Sequence, residues 1–367
     1  MKKLQKILTK VLGLTLVVVI AATIGIGCQA AAAETTAAAA ETTAAAETLT
    51  IGRVMMEYGH PYQQADMTHF AAYGDEIGVE TIVLDGKSSP DVISNAVDDL
   101  ISRGVDGIIF QPVDEGSSNN VLQACLDAGI PAITFFQRPN TVKAPHVRIN
   151  ETQTSFEMGA LAAQKMGEFF PGEPIKIGCV EMATIEYVVV NRTDAFIEGV
   201  QSVAPEAEVL ARLDGAGLRD QAFEAGQDLL QSHPEVNLVF GSNADDCLGA
   251  LAAFELAGRG KAVDTVPVTE MFISIDGSEG EALKMIDPTS ALKITMALTP
   301  LPNAKVLMDT ILSIVNGEMG MTDDVIVDVP DLILNYYDMG IEELQDFITG
   351  QYLSEVDLKT EFEKLSK

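Results

Sequence analysis

The chain has 367 residues, 47% of them hydrophobic and 21% charged, so it is too apolar for general disorder and long enough for two domains. Asp and Glu total 54 against 23 Lys and Arg, a net charge of −31, and a field of that sign excludes nucleic acid as a partner. None of the four cysteines stands in CxxC spacing, which argues against a zinc ribbon or a thioredoxin-like redox site.

Lys2, Lys3, Lys6 and Lys10 precede an uncharged run from Val11 to Gly27, and Cys28 follows at once. A basic start, an apolar stretch and a small residue read as an export signal over 1–27. Gly27-Cys28 resembles the lipobox of bacterial lipoproteins, whose cysteine becomes the lipidated first residue, although Gly25 stands where a leucine is usual. An uncleaved membrane anchor is the alternative, at the short limit for a span. Both readings put the remaining chain outside the cytoplasm. Residues 29–47 are Ala, Glu and Thr with one Gln, which cannot build a core. With Cys28 they read as a tether over 28–47. Cys125, Cys179 and Cys247, with Leu126, Ile177 and Leu248 nearby, read as buried thiols.

From residue 48 short β-branched runs alternate with amphipathic runs of 12–16 residues. Strands are expected at 49–55, 80–84, 107–110, 132–136 and 147–149 in a first round. A second round has 175–180, 208–212, 238–241, 272–275 and 292–296, and 325–329 comes last. Helices are expected at 62–77, 90–103, 116–128, 153–169, 190–203, 219–232, 244–257 and 303–316. The strands are apolar on both faces, as a parallel sheet requires, and β–α alternation implies right-handed crossovers in doubly wound sheets. Ser89 and Pro90 suit a helix start. Asp127-Ala128-Gly129-Ile130-Pro131 suits a helix end, as does His233-Pro234. Residues 338–367 add two short acidic helices.

Open α/β sheets place ligands at the carboxyl ends of their strands, so the loops there matter. They carry Glu57, His60, Tyr62 and Gln63 after the first strand, and Phe136, Gln137 and Arg138 after the fourth. In the second round they carry Glu186 and Arg192, then Asn243, Asp245 and Asp276. Carboxylates and amides accept hydroxyl hydrogens, arginine forks onto adjacent oxygens, and rings cover C–H faces: a set suited to a small polar ligand. Plainer roles stay open. Asn243 and Asp245 suit helix capping, Asp276-Gly277 a turn, Arg192 a solvated helix, and Tyr62 and Phe136 the core. The histidines at 60, 69, 146 and 233 are scattered and show no HExxH, so metal catalysis has little support. There is no phosphate loop, no GxGxxG after a strand and no GxSxG elbow. No cofactor, metal site or catalytic group is indicated.

Four segments resemble one family: LISRGVDGIIFQPVD (100–114), ACLDAGIPAITFFQR (124–138), SHPEVNLVFGSNADDCLGALAAFELAG (232–258) and ISIDGSEGEALKMI (273–286). Their order and spacing resemble the periplasmic substrate-binding proteins of sugar ABC transporters, the ribose/galactose-binding type, over about residues 48–330. The resemblance implies the α/β, type I periplasmic binding protein fold, with two Rossmann-like lobes, each a parallel sheet flanked by helices, joined by a three-stranded hinge. The N-terminal lobe would be 48–149 with about 299–327, and the C-terminal lobe 150–298 with about 328–367. His60, Tyr62, Gln137, Arg138, Arg192, Asn243 and Asp276 then match ligand positions, with Gln63, Phe136, Glu186 and Leu298 as further candidates. Leu298 replaces the usual Asn or Gln, Gln137 an Asp or Asn, and Gln63 an aromatic; Val188 is apolar, and tryptophan is absent. These departures open the site to a deoxy sugar or a nonsugar metabolite.

The function so implied is binding without catalysis. A monomer on the outer face of the membrane, held through Cys28, would carry a sugar-like solute to an ABC permease by hinge closure. The alternative is a sensory subunit presenting its ligand to a chemoreceptor or sensor kinase. A sugar-responsive transcription regulator would need a basic helix-turn-helix where this chain has an export signal.

Overall fold

The computed structural model describes residues 48–365. The expected export signal at 1–27, the lipidation site Cys28 and the tether over 28–47 lie outside the described residues. The first lobe alternates β1 (Thr50–Met55), α1 (Pro61–Ile77), β2 (Glu80–Asp85), α2 (Pro90–Arg103), β3 (Gly107–Phe110), α3 (Glu115–Ala128), β4 (Ala132–Phe135) and β5 (His146–Ile149). The second opens with α4 (Glu151–Phe169), β6 (Lys176–Glu181) and α5 (Glu186–Val188). A π-helical turn over Val189–Asp194 leads into α6 (Ala195–Val203), then β7 (Glu208–Asp214), α7 (Arg219–Ser232), β8 (Leu238–Gly241) and α8 (Ala244–Leu256). A small hairpin, β9 (Ala262–Val263) and β10 (Val266–Pro267), precedes β11 (Met271–Asp276), α9 (Glu279–Ile286) and β12 (Leu292–Ala297). The chain returns through α10 (Pro300–Val315) and β13 (Ile326–Val329), crosses back as β14 (Leu332–Asn335), and ends in α11 (Ile341–Tyr352) and α12 (Leu358–Leu365).

Two six-stranded sheets result, ordered β13-β5-β4-β3-β1-β2 and β14-β12-β11-β8-β6-β7. Strands β3, β4, β8, β11 and β12 are buried along their whole length, the pattern of strands covered by helices on both faces. The expected α/β fold of two lobes is what the chain adopts. One correction concerns the second sheet, which is not wholly parallel: β14 pairs antiparallel to β12, with Ala297 opposite Leu332. The parallel strands of both sheets point their carboxyl ends toward a common gap. A chain leaving β13 there, with only Pro330 and Asp331 before the next strand, must enter the second sheet from its carboxyl end.

Local signals end the elements where the sequence expects. Ser89 Oγ accepts from Val92 N–H at 3.5 Å, and Pro90 opens α2. Gly129 closes α3 at φ +70°, with its N–H on Leu126 O and that of Ile130 on Cys125 O; Pro131 then forbids continuation. Helices α4 and α6 cross at Gly159 and Gly199. A Cβ on either would strike a backbone carbonyl of the other helix, Phe196 O or Phe156 O. Side chains from both lobes share the largest apolar cluster, which includes Ile109 and Ile133 with Phe240 and Ile294. Cys125, Cys179 and Cys247 are free and buried, and burial pushes all three thiols up, Cys125 to about 12. The C-terminal α11 packs on α9 but also touches α1 and α10 of the first lobe, where Gln351 O lies 2.8 Å from His69 Nε2.

Candidate functional site

A cavity of about 490 Å³ lies between the lobes, lined by the residues that follow β1 to β4 on one side and β6, β7, β8, β11 and β12 on the other. Such a gap, at the carboxyl ends of open sheets, is where this architecture binds ligands.

On the first lobe, the Glu57 carboxylate folds the loop after β1 by accepting from Gly59 N–H and His60 N–H at 2.5 and 3.1 Å. That turn aims His60 across the gap. Tyr62 and Gln63, in the first turn of α1, are buried and line the cavity. Gln63 Nε2 donates to Gln111 Oε1 at 3.2 Å, while its own Oε1 and the Tyr62 hydroxyl have no protein partner among the described residues. Phe136 is held at φ +64°, a conformation side chains adopt only when the surroundings impose it. Its ring meets Tyr62 edge-on at 6.2 Å and Tyr187 of the second lobe at 5.8 Å.

On the second lobe, Arg192 sits in the π-helical turn, a feature common at functional sites. Its Nε and Nη2 grip both oxygens of Glu151 at 3.0 and 2.7 Å, and Nη1 donates to Ser242 O at 2.9 Å. Burial works against its charge, yet the Glu151 carboxylate, with Asp276 and Tyr187 adding to it, holds the guanidinium above its ordinary pKa. Asn243 caps α8, its Oδ1 accepting from Asp246 N–H at 2.7 Å. Asp276 has φ +122°, and its Oδ2 accepts from Ala244 N–H at 2.9 Å, so its charge lies at the positive end of α8. Asp246, behind this wall, is raised to about 7, chiefly by burial.

Of the residues singled out in the sequence, His60, Tyr62, Gln63, Phe136, Gln137, Arg192, Asn243, Asp276 and Leu298 all line this cavity. Arg138 and Glu186 do not. Arg138 turns outward to pair with Asp324, and Glu186 lies in a neighbouring depression. Sequence reasoning missed Gln111 and Tyr187, which also line the cavity, and Glu151, which holds Arg192. Gln111 follows β3 directly, so the strand-end rule was enough to find it. Tyr187 stands five residues before Arg192. At about 100° per residue the two fall about 140° apart on an α-helix, and the π-helical turn brings both to the cavity.

The family model for the periplasmic binding protein domain matches residues 51–319. The ribose import binding protein RbsB of Escherichia coli is 26% identical over 213 residues, covering 57% of this chain and 69% of its own. The ABC transporter periplasmic-binding protein YphF of the same species is 27% identical over 56% of this chain and 64% of its own length, so the chain spans under two thirds of that relative. The xylitol-binding protein of Mycolicibacterium smegmatis is 28% identical over 80% of this chain and 84% of its own. Among solved structures, one from Mycobacterium smegmatis in complex with β-D-fucofuranose superimposes with a TM-score of 0.71 at 22% identity, covering 86% of this chain and 98% of that one. A galactofuranose-binding protein gives 0.71 at 20% identity, covering 83% and 99%. Two lobes facing one cavity, with a family match across most of both, make this chain a member of the periplasmic binding protein family.

Proposed function

We propose that the cavity takes one neutral sugar or sugar-like polyol and that the lobes close on it to present it to an ABC importer. The observation that carries this is how the site holds its charges. Arg192 is matched by Glu151, and Asp276 by the start of α8 and by His60. Two further carboxylates line the cavity, Asp245 paired with Arg219 and Glu57 held by backbone N–H groups, and the rest of what faces a ligand is neutral hydrogen-bonding groups between apolar surfaces. Tyr62, Phe136 and Tyr187 supply rings, and Met56, Met182 and Leu298 add aliphatic wall. A sugar ring offers the same two characters, hydroxyls on its rim and C–H groups on its faces. The relatives named for ribose and xylitol support this solute class. Lipidation at Cys28 would hold the protein at the outer face of the membrane, beside the permease, and no covalent chemistry is part of this role.

The test is a thermal-shift screen of the purified protein against pentoses, hexoses, deoxyhexoses and polyols, D-ribose and xylitol among them. A solute at about 100 times its Kd adds about 2.7 kcal/mol of stability. In a protein of this size that raises Tm by roughly 5 °C or more. Failure of every sugar and polyol to shift Tm would overturn the solute class.

A further inference from the structure

Asp276 stands on a strained turn. Its φ is +122°, and Gly277 follows at +75°. An aspartate adopts such a backbone only where its surroundings impose it. Asp276 O accepts from Leu298 N–H at 3.0 Å, continuing the pairing of β11 with β12. The same oxygen accepts from the hydroxyl of Tyr352, 76 residues away in sequence at the end of α11. Phe347, on the same helix, lies against the turn: a Cβ added at Gly277 would stand 3.1 Å from its Cε1 and 2.8 Å from Ala297 Cβ.

The end of α11 is fixed from both lobes, so Tyr352 has a defined place. On the first-lobe side, His69 Nε2 is 2.8 Å from Gln351 O, and Gln351 Oε1 accepts from Leu301 N–H at 3.2 Å. On the second-lobe side, Ser354 Oγ donates to Glu279 Oε2 at 2.7 Å, and the Tyr352 ring packs against Phe347 at 6.2 Å. Burial, then the Asp276 and Glu281 carboxylates, push the Tyr352 hydroxyl well above its ordinary pKa, so it stays a donor at neutral pH.

We propose that Tyr352 is a positioning residue of the solute site: its hydroxyl holds the Asp276 backbone in the conformation that sets the carboxylate against Ala244 N–H at the cavity wall. The proposal rests on the reading of the cavity as a solute site. It adds a residue that does not line the cavity and lies beyond the 51–319 that the family model matches.

The physical reason is the geometry of one peptide. A carbonyl held by a single ladder bond can tilt about that bond. A second donor fixes the peptide plane, and with it the direction in which Cβ leaves the chain. Without it, the turn is free to relax toward an unstrained φ, and the carboxylate swings away from Ala244 N–H. A side chain that meets a ligand keeps its aim only when a supporting shell locks it.

The experiment reads the carboxylate first and the solute second. Two amide protons in the first turn of α8 are followed by NMR in the purified protein. Ala244 N–H donates to Asp276 Oδ2, whereas Asp246 N–H donates to Asn243 Oδ1. Tyr352→Phe keeps the ring and removes only the hydroxyl. The proposal expects the Ala244 signal to move in the direction that Asp276→Asn moves it, with the Asp246 signal unchanged. An unmoved Ala244 signal overturns it. So do equal movements of both amides, the mark of a helix loosened by lost packing. Should Asp276→Asn fail to fold, the two amides in Tyr352→Phe decide alone.

Calorimetry with D-ribose and xylitol follows. Tyr352→Phe is expected to raise Kd about threefold to tenfold. In the Asp276→Asn background the same change should alter Kd by less than about twofold, because the two residues act through one carboxylate. An unchanged Kd in Tyr352→Phe, or losses that simply add, overturns the proposal. If neither solute binds, the solute reading is what fails, and the two amides still decide whether Tyr352 places Asp276.

Discussion

On the second-lobe wall of the cleft, the buried polar side chains are already bound within their own lobe. Arg192 grips Glu151 and Ser242 O, Asn243 caps α8, and Asp276 holds Ala244 N–H. On the first-lobe wall, the Tyr62 hydroxyl and Gln63 Oε1 are buried with no partner among the described residues, and Phe136 is held in a left-handed conformation. The second wall is thus a preorganised surface whose groups also stabilise the fold. The first wall carries buried polar atoms that the fold leaves without a partner among the described residues. Mutations on the two walls should therefore separate stability from binding.

The largest effect belongs to the second wall. Glu151→Gln leaves the Arg192 guanidinium buried without its counter-charge, and is expected to cost about 3–5 kcal/mol in denaturant unfolding. A loss below about 1 kcal/mol would mean that this wall is less tightly built than its hydrogen bonds imply.

Next in size is a pH effect behind the same wall. Asp246 is raised to about 7, chiefly by burial, above its ordinary 3.8. A carboxyl raised by folding favours the folded state below its unfolded value and withdraws that support as pH rises through the folded value. The Tm advantage of Asp246→Asn over the wild type should be smaller near pH 5 than near pH 8. Equal Tm differences at both pH values would show that Asp246 does not titrate in this window.

The smallest effect on the fold belongs to the first wall. Tyr62→Phe removes a hydroxyl with no hydrogen-bond partner among the described residues, so unfolding free energy should change by less than about 0.5 kcal/mol. Affinity for the solute found in the screen should fall about threefold to tenfold, the worth of one neutral hydrogen bond. A variant that loses stability but keeps its affinity would reverse the contrast between the walls.

Sequence reading came close on the fold because β–α alternation is written in local periods. Strands β3 and β8 and helices α2 and α7 match their expected limits. Strand β14 escaped because its four residues, Leu332–Asn335, carry no helix before them and join the sheet by a direct crossing. In the site, strand-end position singled out His60, Arg192, Asn243 and Asp276. The same rule placed Arg138 with them, but an ion pair with Asp324, 186 residues away in sequence, turns it outward. Glu151 and Tyr187 gave no local sign of their place, since the buried ion pair and the π-helical turn that define it are long-range or irregular.

Periodicity, capping residues and the spacing of apolar runs determined, by themselves, the elements, the two-lobed architecture and the loops from which the site is built. Those signals act over a few residues, where backbone geometry and burial leave a periodic trace in the chain. Tertiary structure alone decided which side chains share the cavity, which charges cancel and which atoms are left without partners. Such pairings join residues far apart in sequence: His60 and Asp276 meet only because two sheets direct their strand ends into one gap.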